Sequence, residues 1–99
     1  MAEVNVIDWH VNPFRADRWY AVWLPALRRA PSFGATSIRL TRSEDDHLHF
    51  VQTTVWENRA DFERFWSSDE VARAREAAIS WYSKPLLYSW HVLLVDESE

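Results

Sequence analysis

Residues 35–56 read ATSIRLTRSEDDHLHFVQTTVW. From Ala35 to Arg42 apolar and polar side chains alternate, and the alternation returns from His47 to Trp56. A period of two marks a strand with one buried face. Between the runs stands Ser43-Glu44-Asp45-Asp46, a cluster that favours a turn over continued pairing. The stretch therefore predicts a β-hairpin at the middle of the chain. Alternation alone leaves open which set, His47 and His49 or Phe50 and Gln52, faces the core.

Toward the N-terminus, Val4 to Val11 is rich in β-branched and aromatic residues and reads as a strand. Asn12-Pro13 follows as a cap-and-start signal for a helix that carries Trp19, Trp23, Leu27 and Ala30 at spacings of three or four. Pro25 interrupts this pattern, so a kink is expected there, or an end near Leu24 with a short further turn through Arg29. Pro31 to Gly34 reads as the exit loop. Toward the C-terminus, Asn58 caps a second helix with Asp61 three residues on, and Phe62, Phe65 and Trp66 form its apolar face. A second capping pattern, Ser67 to Glu70, breaks that helix, and the stripe resumes at Val71, Ala74, Ala78, Trp81 and Tyr82. Lys84-Pro85 stops it, and Leu86 to Val95 makes a fourth strand, expected to be central in the sheet, ahead of an acidic tail.

The order β-α-β-β-α-β is that of the ferredoxin-like split βαβ, an α+β fold with a four-stranded antiparallel sheet and two helices on one face. One domain over residues 1–99 accounts for the whole chain. The first and fourth strands carry large apolar groups on both parities, while the helices cover only one face. A second copy of the chain is the simplest second cover, so a homodimer is expected.

Composition narrows the function classes. Acidic residues exceed basic ones, 15 to 11, and the basic ones are interleaved with acids, which disfavours a nucleic-acid partner. The absence of cysteine excludes disulfides, thiolate metal sites and a thiol nucleophile, and fits a reducing cytoplasm. A single glycine cannot build a phosphate-binding loop. The opening Met-Ala-Glu-Val-Asn lacks a basic segment followed by an apolar run, and no apolar run is long enough to span a bilayer, so no signal peptide and no membrane partner are expected. Against this stand seven Trp, three Tyr and five Phe, which either pad a small core or line a site for a flat aromatic ligand.

The segment from Val55-Trp56-Glu57-Asn58-Arg59-Ala60-Asp61-Phe62 through Phe65-Trp66-Ser67-Ser68-Asp69-Glu70-Val71 resembles the strand-to-helix segment of antibiotic biosynthesis monooxygenase-like domains of the dimeric α/β-barrel superfamily. Val11-Asn12-Pro13 is similar to that group's turn into the first helix, with Phe14 where the group usually has Gly. The resemblance covers essentially the whole chain and implies a dimeric α/β barrel. It also implies a slot between sheet and helices in which a reduced aromatic substrate of polyketide or quinol type reacts with O₂ without metal or flavin. Haem-degrading members place an Asn, a Trp and an axial His where this chain has Ile7, Phe65 beside Trp66, and Arg75, so two of their three groups are missing.

The candidate site residues follow from these readings. Asp8 and His10 share a strand face, and a carboxylate orienting an imidazole is the arrangement a general base needs. His49 lies deeper in its strand than His47 and could reach either the pocket or the dimer seam. Asp8, His10 and His49 are therefore the catalytic candidates. Trp9, Trp66 and Trp81 would line the slot, with Tyr82 and Tyr88 as hydrogen-bonding groups for a small aromatic molecule. His47 and His49, two residues apart, would need a third ligand to hold an ion, so neither metal nor other cofactor is expected. Ser67 and Ser68 read as helix caps rather than nucleophiles. The competing reading is a non-catalytic ligand-binding or assembly module whose indoles only fill the core and the seam.

Overall fold

A computed structural model describes residues 2–98; Met1 and Glu99, the ends of the expected domain, lie outside the described residues. The elements run β1 (Glu3–His10), α1 (Ala16–Leu27), a 3-10 turn (Ala30–Phe33), β2 (Ser37–Arg42), β3 (His49–Trp56), α2 (Arg59–Trp66), α3 (Asp69–Ala77) and β4 (Leu87–Val92). The strands form one antiparallel sheet in the order β2-β3-β1-β4, the ferredoxin-like arrangement.

Register decides what each strand buries. Ile7 lies opposite Gln52 and Trp9 opposite Phe50, and these four are buried together with Asn5, Thr54 and Trp56 beneath the helices. The intervening residues Val4, Val6, Asp8 and His10 on β1, with His49, Val51 and Thr53 on β3, lie on the other face, half-buried. The question the hairpin left open is thus answered: Phe50 and Gln52 face the helices, and His49 does not. The core is largely indole, with Trp9, Trp19, Trp23 and Trp56 at most 1% exposed. Gln52 Oε1 accepts hydrogen bonds from Trp9 Nε1 at 3.1 Å and Trp23 Nε1 at 2.7 Å, and Trp56 Nε1 donates to Thr54 Oγ1 at 2.7 Å. Three of the four buried indole N–H groups thus find acceptors on the inward face of β3, while Trp19 Nε1 has no partner.

Several boundaries differ from the expectation. The first helix starts at Ala16, not at Asn12-Pro13, because Phe14 takes φ +66 and turns the chain first. Asn12 instead donates from Nδ2 to the Ser80 carbonyl at 2.8 Å, tying the turn to the segment after α3. The helix runs through Pro25 to Leu27, and the 3-10 turn ends on Gly34 at φ +115, a left-handed position that suits glycine. Asn58 caps α2 as expected, its side chain accepting from Asp61 N at 3.0 Å. The break near Ser67 is present, but Ser68 is the N-cap residue of α3, and Ser67 Oγ donates back to the Glu63 carbonyl at 2.7 Å. α3 ends at Ala77, before Trp81 and Tyr82. Leu48 and exposed His47 belong to the hairpin turn.

β4 is an edge strand paired only to β1, not a central one, and most of its residues are exposed, His91 included. The helices therefore cover one face of the sheet, and among the described residues nothing covers the other.

Candidate functional site: an aromatic cavity beneath the helices

On the helix side of the sheet, between β1, β4, α2 and α3, lies a cavity of about 400 Å³. That volume falls within the usual range for small-molecule sites. Phe62 and Trp66 from α2 and Trp90 from β4 form its aromatic wall, with Ile7 behind. The Phe62 and Trp66 rings stack at 5.6 Å with an interplanar angle of 18°, and Trp90 meets Phe62 edge-on at 5.2 Å. Leu86, Tyr82, Tyr88 and the Glu63 carboxylate of α2 add to the lining. The break between α2 and α3 matters here, because it lets the two short helices present their faces to the same space.

Arg75, Lys84 and Tyr82 are tied into the cavity wall by contacts of their own. Arg75 of α3 donates from Nη2 to the Trp66 carbonyl at 2.8 Å and lies over the Trp66 ring at 4.6 Å, while its Nε is buried without a hydrogen-bond partner. Lys84 lies over the Tyr82 ring at 4.5 Å, its ammonium donating to the carbonyls of Ile79 and Tyr82. Burial pushes the Tyr82 phenol above its ordinary value, a rise that the Arg75 charge partly offsets, so it stays a hydrogen-bond donor at neutral pH. Two cations against the one carboxylate of Glu63 leave a net positive site, which with the Tyr82 phenol and the stacked aromatics suits a flat ligand that carries or develops negative charge.

Of the expected binding residues, Trp66, Tyr82 and Tyr88 line the cavity. Trp9 lies one layer beneath, fully buried, with its ring 6.2 Å from Trp66 and 5.0 Å from Tyr82. Trp81 is half-buried against the core and is not part of the lining. Asp8, His10 and His49 are brought together, but on the opposite face of the sheet. His49 Nε2 donates to Asp8 Oδ1 at 2.7 Å, and the imidazoles of His10 and His49 stack at 4.5 Å with an interplanar angle of 10°. The expected catalytic and binding sets are therefore separated by the thickness of the sheet. Arg75 and Lys84 were not singled out as site residues. Arg75 did leave a trace: it stands four residues after Val71, inside the apolar stripe of its helix, where a charge needs a reason.

The chain's fold recurs in solved structures. A Nitrosomonas europaea protein named after the antibiotic biosynthesis monooxygenases superposes with a TM-score of 0.87 at 15% identity, covering 94% of this chain and 90% of that one. A Mycobacterium tuberculosis protein gives 0.84 at 14% identity, over 99% and 100%. A point mutant of SnoaB, a cofactor-independent oxygenase from Streptomyces nogalater, gives 0.82 at 14% identity, over 99% and 98%. At such identities the likeness is one of fold. No curated protein sequence matches the chain. The sequence model of the antibiotic biosynthesis monooxygenase family matches residues 4–77, from β1 through α3 and so through the helices that wall the cavity, and the chain belongs to that family.

Proposed function

We propose that the protein is a cofactor-independent monooxygenase that acts on a small, flat aromatic substrate bound as an anion in the cavity. The observation that carries this reading is the pairing of the Phe62–Trp66–Trp90 wall with Arg75, Lys84 and the Tyr82 phenol. An anthrone or quinol is unreactive toward O₂ until it loses a proton, and the resulting anion is electron-rich enough to be oxidised directly. Fixed positive charge and a phenolic donor at the developing oxyanion favour that deprotonation, and the aromatic wall holds the ring while O₂ approaches. With an anthrone a ring CH₂ becomes C=O, with a hydroquinone a ring C–H becomes C–OH as the ring is oxidised to the quinone, and in both the second oxygen atom leaves as water, so all electrons come from the substrate. The family and the SnoaB-like fold agree with this chemistry.

The working unit is a homodimer in the cytoplasm, closed across the uncovered sheet face. Supporting this are the apolar residues Val4, Val6 and Val51 on that face and the exposed Leu87, Leu94 and Val95 near its edge. The cysteine-free composition fits a reducing compartment, and no helix among the described residues is long and apolar enough to cross a membrane.

The test is a tryptophan-fluorescence titration with an anthrone, a hydroquinone and hemin, followed by oxygen uptake with each ligand that binds. Saturable quenching by the anthrone or quinol with one O₂ consumed per substrate is the expected result. Arg75→Gln should lower kcat by about 10²-fold, the usual cost of removing one oxyanion donor, while leaving the unfolding temperature within a few degrees of the parent. Saturable binding without oxygen uptake would make the protein a ligand-binding module instead. Binding of hemin alone would point to haem, despite Ile7 and Arg75 standing where haem-degrading members have Asn and His.

A further inference from the structure

The cluster on the open face of the sheet plays no part in the cavity, and its composition calls for its own account. Asp8 and His10 are two residues apart on β1, and His49 is the direct cross-strand partner of His10 on β3. These are the two central strands of the sheet, so the three side chains rise from a stiff base. One ligand atom from each lies within 4.8 Å of the other two, and among the described residues no other trio of His, Asp or Glu converges in this way. The third ligand that the pair His47 and His49 lacked is supplied across the strands, with His47 left in the turn.

We propose that Asp8, His10 and His49 form a Zn²⁺ site on this face. Two imidazoles and one carboxylate are a donor set that zinc accepts, and three protein ligands leave the fourth tetrahedral position open to solvent or to whatever covers the face. Ligand atoms on a tetrahedral zinc stand roughly 3.3 Å apart, given ligand distances near 2 Å. The 2.7 Å contact between His49 Nε2 and Asp8 Oδ1 would open slightly as the ion replaces the shared hydrogen, and the outermost atom would close in by up to about 1.5 Å. Half-exposed side chains can make both movements by rotation alone. The stack of His10 on His49 holds both rings beside the carboxylate, and one ring must turn out of the stack for the two in-plane nitrogen lone pairs to converge on the ion. The ion would sit across the sheet from the cavity, as an element of the face rather than of the aromatic site.

The experiment uses the full chain, stripped with a chelator and titrated with ZnCl₂ by calorimetry, with thermal unfolding and the visible spectrum of the Co²⁺ form as further readouts. One ion per chain, a raised Tm and the intense absorption of tetrahedral Co²⁺ are expected, since a ligand held by the native state stabilises it. His10→Gln and Asp8→Asn should each weaken Zn²⁺ at least about tenfold with the far-ultraviolet circular dichroism of the parent, and His47→Gln should bind as the parent does. If His10→Gln does not fold, Asp8→Asn alone carries the comparison. Absence of Zn²⁺ binding would overturn the proposal. So would equal binding by His10→Gln or Asp8→Asn, which would place the ion on His47 or His91.

Discussion

Gln52 holds the indole core together through one oxygen. Its Oε1 accepts from both Trp9 and Trp23, residues on different elements, so the amide fixes α1 against β1 in rotation as well as in distance. Hydrophobic burial alone would not specify that angle, because indole rings slide on one another at little cost. Gln52→Leu keeps the volume but leaves two buried N–H groups without acceptors, and at about 1–3 kcal/mol for each such group a net loss of about 2–3 kcal/mol is expected. For a domain of this length that corresponds to a fall in Tm of roughly 10–20 °C, measured by thermal unfolding. An unchanged Tm would show that the indoles find other acceptors. The same reasoning explains why indoles dominate the composition: four are fully buried as structure, while Trp66 and Trp90 face the cavity.

At the scale of elements, the turn before α1 departs most from what periodicity suggests. Phe14 is 93% exposed and held at φ +66, a backbone conformation that costs a β-carbon residue about 1–2 kcal/mol. Phe14→Gly removes that strain and loses no packing within the chain, but it loosens the unfolded state. A net gain of about 0.5–1 kcal/mol is expected in chemical denaturation. A loss instead would mean that the ring is engaged by something outside the chain. The resemblance had marked this position as one where the family usually has Gly, but a signal that reads Asn-Pro as a helix start could not see that the chain must first turn through a left-handed residue. The hairpin, the cap at Asn58 and the break near Ser67 were all legible, because each depends on neighbours within a few residues. Sheet order was not: the apolar run from Leu86 to Val95 reads as a central strand, and only long-range pairing makes β4 an edge. The cavity was half legible for the same reason. Trp66, Tyr82 and Tyr88 stand out as aromatics, whereas Arg75 and Lys84 join them only through the packing of α3 against α1 and α2 and the pairing of the following segment with Val11.

At the scale of the whole molecule, the sheet is covered on one side only. Val6 sits at the centre of the open face, paired with Thr53 on β3 and Ser89 on β4, and Val4 and Val51 flank it. In the proposed homodimer this face is the seam, and a two-fold axis through it would bring the same patch of a second chain into register. Light scattering at micromolar concentration should therefore give twice the chain mass of 11.8 kDa. Val6→Glu would set two carboxylates against each other in the seam, and a few kcal/mol of desolvation and repulsion should weaken the dimer by about 10²-fold. Val6→Thr, nearly the same in shape and uncharged, should retain most of the affinity. The far-ultraviolet circular dichroism should not change in either variant, since Val6 points away from the helices. A parent chain that scatters as a monomer at that concentration would refute the dimer, and the doubly apolar first strand would then need another cover. A monomeric Val6→Glu that still takes up oxygen with an anthrone would show that each cavity, walled by α2, α3 and β4 of one chain, is complete without its neighbour.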